Sequence, residues 1–111
     1  MKTRIISIAL LIMFAAFMAR AGEFTDTFKV KGGDCFESKK QIESAALDVI
    51  GVSMANWNSE KQELRIIFDE SKTKVENIKK AVAKAGFDTD DFKAKDEVFN
   101  KLPDCCKYER D

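Results

Sequence analysis

Three cysteines, Cys35, Cys105 and Cys106, carry most of the chemical character of this sequence. A thiolate is a nucleophile, half of a disulfide and a soft metal ligand. Cys35 follows Gly32-Gly33-Asp34 and precedes a stretch of helical periodicity, which puts its sulfur at a helix start. The partial positive charge there favours thiolate over thiol. Cys105 and Cys106 are adjacent and lie just beyond Pro103. The surrounding composition narrows what sulfur can do. The 111 residues include no histidine, which removes His general bases, Cys-His pairs and imidazole ligands. No nucleotide-binding glycine loop or hydrolase motif is present, so a binding protein is expected and not an enzyme. The 19 basic and 19 acidic groups cancel, and no basic stripe points to nucleic acid.

The first residues bear on the redox state. Lys2 and Arg4 precede an apolar run over 5–19, and Ala19-Arg20-Ala21 fits a small-x-small cleavage site. The run is shorter than the roughly 20 apolar residues of a spanning helix. A signal peptide over 1–21 is therefore expected, with a periplasmic or secreted product and no membrane attachment after cleavage; an uncleaved anchor is the alternative. Cleavage removes Lys2, Arg4 and Arg20 and no acid, leaving 16 cations against 19 anions, a net charge of −3. It also leaves Met54 as the one methionine, too few for a Met-rich copper site. Outside the cytosol thiols oxidise. With three cysteines, one intrachain disulfide leaves one thiol over.

These sulfurs need elements to position them. Phe24, Phe28 and Val30 fall at strand spacing, and Gly32-Gly33-Asp34 ends that strand. A helix is expected over 37–49, with Ile42, Ala46, Val49 and Ile50 as its apolar stripe and Gly51 as its stop. Strands over 52–57 and 64–68 flank a polar turn at 58–61. Thr73-Lys74-Val75-Glu76 reads as a capping box opening a second helix. Val75, Ile78, Ala81, Val82 and Ala85 share its apolar face, and Gly86 ends it. Residues 87–92 read as a charged edge strand. The order β-α-β-β-α-β is that of an α+β, ferredoxin-like sandwich, with sheet order 4-1-3-2 and two helices on one face. The domain spans 22–92, and a tail over 93–111 holds a short helix and the Cys-Cys pair. The loops at 32–36, 58–61 and 85–87 share one end of the sheet.

A family resemblance rests on that end. Val30-Lys31-Gly32-Gly33-Asp34-Cys35-Phe36-Glu37-Ser38 is followed by Gly51-Val52, Phe68-Asp69, Val75-Glu76-Asn77-Ile78-Lys79-Lys80-Ala81 and Gly86-Phe87. This series resembles the heavy-metal-associated domain of copper chaperones, the periplasmic mercury-binding protein and the N-terminal arms of metal-transporting P-type ATPases. The family loop reads Gly-Met-Thr-Cys-x-x-Cys. Here Gly33 and Asp34 stand at the Met and Thr positions, and Ser38 stands at the second cysteine. The resemblance implies binding of a soft ion, Cu(I) foremost, with Zn(II) or Hg(II) as alternatives. It implies metal trafficking or detoxification, with a metal-transporting membrane protein or another metal carrier as partner. Phe87 stands where the family's Tyr or Phe lies near the ion, with packing in the core as the equal alternative.

With Ser38 in place of a thiol, the loop alone holds one soft ligand. The tail offers two more. Cys105 lies thirteen residues beyond Phe92, about 43 Å of extended chain or about 20 Å of helix, enough to return along strands of roughly 17–20 Å. Cys35, Cys105 and Cys106 would then form a three-thiolate site. A structural disulfide from Cys35 to the tail stays open beside it, as does a strained Cys105–Cys106 bond. A degenerate domain that binds a protein partner without metal, or a thiol-redox protein, are the alternatives in function. Trp57 and Met54 are expected as hairpin packing, and Lys39, Lys40, Lys79 and Lys80 as solvated helix faces.

Overall fold

The structure is a computed structural model and describes residues 22–111. The expected signal peptide over 1–21 lies outside the described residues. Three strands, β1 (Glu23–Lys29), β2 (Val52–Asn58) and β3 (Glu63–Asp69), form an antiparallel sheet in the order β1-β3-β2. The alternation of β3 sets its face: Leu64, Ile66 and Phe68 are buried, and Arg65 is exposed. Phe28 pairs with Leu64 in register, and Trp57 meets Leu64 from the other side. A shift between Val52 and Met54 bends the start of β2.

Two helices cover this face. α1 (Phe36–Leu47) buries Ser38, Ile42 and Ala46, and α2 (Val75–Lys84) buries Ile78, Val82 and Ala83. Each fully buried Ile, Leu or Val is worth about 1.5–3 kcal/mol relative to exposure. α1 stops two residues before the expected end. The N–H groups of Asp48 and Val49 close the last turn on Ser44 and Ala46, and Gly51 turns the chain at φ +104°. Ile50, expected in the apolar stripe, is therefore 81% exposed. The capping box at 73–76 does not form, since no side chain caps α2. Instead the Thr73 hydroxyl accepts from the Asn77 amide at 3.4 Å.

The fourth sheet position is occupied as the order 4-1-3-2 requires, beside β1, but by a single bridge between Val30 and Thr89. Lys31 N–H donates to the Asp88 carbonyl at 2.8 Å next to it. A longer ladder is prevented locally. Thr89 donates its N–H to the Phe92 carbonyl at 2.8 Å. Its hydroxyl accepts from Phe92 N–H at 2.9 Å, closing a tight turn. Asp91 and Asp90 are drawn to Lys79 at 2.7 and 3.1 Å.

Trp57 lies deeper than hairpin packing requires. It is 2% exposed, and its indole N–H donates to the Val30 carbonyl at 3.0 Å, so it joins strand β2 to the end of β1 across the core. Met54 is half-buried. The tail forms the short helix α3 (Asp96–Asn100) and a single 3₁₀ turn over Asp104–Cys106. Leu102 and Cys106 are part of the buried core, so the tail completes the domain.

Candidate metal centre

Cys35 is the residue that enters α1, with extended backbone at φ −148° and ψ 159°. Its loop is fixed by three hydrogen bonds to two residues. Gly32 N–H donates to the Gln62 side-chain oxygen at 2.9 Å, Val30 N–H to the Gln62 carbonyl at 2.9 Å, and Gly33 N–H to the Cys106 carbonyl at 3.0 Å. Gln62 itself adopts φ 54° in the turn after β2, and its amide also donates to the Ser59 carbonyl at 2.9 Å. The three loops expected at one end of the sheet do meet there.

The tail returns to that end. Cys35 and Cys105 are disulfide-bonded, with Cα atoms 6.0 Å apart. Cys106 is free, wholly buried, and has its Sγ 4.0 Å from Cys35 Sγ. The three sulfurs all lie within 4.8 Å of one another. The 4.0 Å between the Cys35 and Cys106 sulfurs matches the roughly 4 Å that separates thiolates bound about 2.3 Å from one ion, and opening the disulfide frees Cys105 beside them. Ser38 is buried, and its hydroxyl lies 3.5 Å from Cys35 Sγ. It stays beside the sulfur as a hydrogen-bond partner, a poor substitute for a soft ligand. Asp34 is exposed.

Gly33 explains how the tail fits. A Cβ at this position would collide with the backbone of Cys105 and Cys106. The side chain absent from Gly33 is the space through which the tail passes. Gly86 plays a similar part at the next corner. Its φ is +115°, and a Cβ there would come within 2.9 Å of Leu102 Cδ2.

Beyond the cysteines the tail is latched. The Tyr108 hydroxyl donates to the Gly86 carbonyl at 2.9 Å and accepts from Asp88 N–H at 2.8 Å. Arg110 grips the Asp88 carboxylate with two nitrogens, at 3.0 and 2.9 Å, and reaches Asp96 at 2.8 Å. It also donates to the Ala94 carbonyl. Its guanidinium lies 4.9 Å from the centre of the Phe99 ring, which meets Tyr108 edge-on at 4.9 Å. Burial alone would raise the Asp88 carboxyl pKa; hydrogen bonds from Arg110 and Ala94 outweigh it and hold the group below its ordinary value. Burial pushes the Tyr108 phenol pKa up. Lys31 and Asp111 pair at 2.6 Å and fasten the last residue.

Two expected surface features differ. The Lys79 side chain is 11% exposed, clamped by Asp90 and Asp91 with its ammonium 5.4 Å from the Phe28 ring centre. Burial disfavours its charge, and the two aspartates more than restore it, so its pKa is raised. Lys39 pairs with Glu43 at 2.7 Å and donates to the Trp57 carbonyl at 3.0 Å. Phe87 is wholly buried in the core, stacked 6.4 Å from Tyr108. Gln62, Asp88, Tyr108 and Arg110 carry no motif that marks them as positioning residues. The one sequence signal is an aromatic and a guanidinium among the otherwise polar residues over 107–111.

Comparison with known proteins gives a consistent result. The profile of the heavy-metal-associated domain matches residues 27–88. A copper chaperone CopZ of Staphylococcus epidermidis is 35% identical over 60 residues, covering 54% of this chain and 88% of that protein. A solved CopZ metallochaperone superposes with a TM-score of 0.57 at 30% identity, over 60% of this chain and 98% of that one. The oxidised MerP of Ralstonia metallidurans CH34 gives a TM-score of 0.57 at 31% identity, over 60% and 93%. The profile match ends at Asp88, before the segment that carries Cys105 and Cys106.

Proposed function

The chain belongs to the heavy-metal-associated domain family, and from that premise we propose that it is an exported carrier of a thiophilic metal ion. Copper(I) is the favoured cargo, with Hg(II) and Zn(II) as the other ions its sulfur would take. Reduced Cys35, Cys105 and Cys106 are the ligands, and the ion passes to a metal-transporting membrane protein or a second carrier. The observation that carries this reading is the convergence of three sulfurs within 4.8 Å at the loop of the family's metal motif. Copper chaperones among its relatives favour copper. Three thiolates suit a soft monovalent ion, which needs no carboxylate or imidazole.

The position of export in this reading comes from the basic and apolar residues over 1–21. An oxidising compartment also accounts for a disulfide as the resting form. The metal is then taken up after two-electron reduction by a dithiol. The test is anaerobic uptake of Cu(I) by the reduced protein against a chelator of known affinity, beside Cys35→Ser. Stoichiometric uptake that falls at least tenfold in affinity in the variant is expected. Failure to compete with a micromolar chelator contradicts the reading.

A further inference from the structure

The arrangement of the sulfurs carries more than a ligand set. Cys106 is a free thiol held in the core, with its Sγ 4.0 Å from the Cys35 sulfur that is already bonded to Cys105. Cys105 is exposed, and Cys35 is half-buried between them. Attack on a disulfide runs in line with the bond that breaks; the tail sulfurs lie within 4.8 Å of each other, so a swing of Cys35 Sγ by about 2 Å into the line between them brings it to bonding distance of Cys106, a disulfide being about 2.05 Å long. The tail need not leave its seat for this. The Gly33–Cys106 hydrogen bond holds it at the sulfurs and the Asp88–Arg110 pair holds it beyond them.

We infer that the centre carries out an internal thiol–disulfide exchange in which Cys106 displaces Cys105 from Cys35. The Cys106 sulfur, as thiolate, attacks Cys35 Sγ. A Cys35–Cys106 bond forms as the Cys35–Cys105 bond breaks, and the electron pair leaves on the Cys105 sulfur. Cys105 then takes up the proton that Cys106 gave up. One disulfide and one thiol exist before and after, so no oxidant or reductant takes part.

The two isomers differ in what they show to solvent. With Cys35 bonded to Cys105, the spare thiol is Cys106, shut inside the core. With Cys35 bonded to Cys106, the spare thiol is Cys105, on the surface. The exchange therefore gives the oxidised protein an accessible thiol without reduction. This inference rests on the three-sulfur site of the proposed function, though its test contains no metal.

The test treats oxidised, metal-free full chain with iodoacetamide in the absence of denaturant and locates the label by peptide mass spectrometry. Label on Cys105, in molecules whose disulfide joins Cys35 to Cys106, is expected, with at least tenfold less label in Cys106→Ser. Label on Cys106, no label until denaturant is added, or equal Cys105 label in Cys106→Ser overturns the inference. Cys105→Ser provides a second measurement. With oxidised glutathione it closes a monomeric Cys35–Cys106 disulfide at a rate within tenfold of wild-type closure. Absence of that disulfide also overturns the exchange. A chain that exchanges but takes up no ion defeats the proposed function alone; a chain that takes up the ion but never labels at Cys105 defeats the exchange alone.

Discussion

The backbone N–H of Gly33 donates to the carbonyl of Cys106 at 3.0 Å, joining the loop that carries Cys35 to the tail that carries the other two sulfurs. This contact places a segment outside the matched family region against the family's metal loop. It also gives a reason for glycine where the family has methionine. The space of that side chain is filled by tail backbone.

Gly33→Ala therefore tests tail docking with one methyl group. The added Cβ meets backbone, which cannot swing aside. A loss of about 1–3 kcal/mol is expected from overpacking. Urea unfolding of the reduced protein measures it, and native-state alkylation of Cys106 rises at least tenfold as the tail lifts. Unchanged stability and a still-protected Cys106 would show that the tail does not pass there.

The latch is tested at Arg110. Its partner Asp88 has a side chain only 5% exposed, so Arg110→Ala leaves a nearly buried carboxylate without its cation. Hydrogen bonds to charged groups are worth about 1.5–3 kcal/mol, and a destabilisation in that range is expected. The folded pKa of Asp88 is lowered, so its contribution is full above the unfolded value of about 3.9 and is lost as pH falls through the folded value. The difference in urea midpoint between wild type and Arg110→Ala should hold steady from about pH 5 to pH 8 and shrink below about pH 4. A difference that grows on acidification contradicts the role given to Asp88.

Much of this was readable from residue order, and the exceptions have physical causes. β3 announces itself through Leu64, Ile66 and Phe68, because alternation on a half-buried strand depends on nothing distant. The position of Cys35 at a helix start follows from Gly32-Gly33-Asp34 and the period after it. The fourth strand did not extend beyond a bridge because Thr89 spends its N–H and hydroxyl on Phe92, a choice set by one side chain. Return of the tail was permitted by chain length. Its path was hidden, since a small residue such as Gly33 records a close approach but not what approaches. The Asp88–Arg110 pair spans 22 residues with no periodicity to mark it.

Ser38 offers a gain-of-function check. Its buried hydroxyl lies 3.5 Å from Cys35 Sγ, so a sulfur there stands within reach of the same ion. In a background of Cys105→Ala and Cys106→Ala, Cu(I) affinity should be at least a hundredfold below wild type. Adding Ser38→Cys should restore it to within tenfold, now through a two-thiolate loop that does not need the tail. Competition with a chelator under anaerobic conditions measures each step. Equal affinity with and without Ser38→Cys would place the ion away from Cys35.

The tail as ligand donor is the central claim, and a count of protected thiols tests it most directly. Reduced protein is loaded anaerobically with one equivalent of Cu(I), and free thiols are then titrated beside the metal-free form. The account predicts that Cys35 and Cys105 react in the native metal-free protein, that Cys106, already buried, reacts only on unfolding, and that loading protects Cys35 and Cys105 together. Protection of Cys35 alone, with the tail thiols as reactive as before and with Cys105→Ala/Cys106→Ala binding as tightly as wild type, would contradict it.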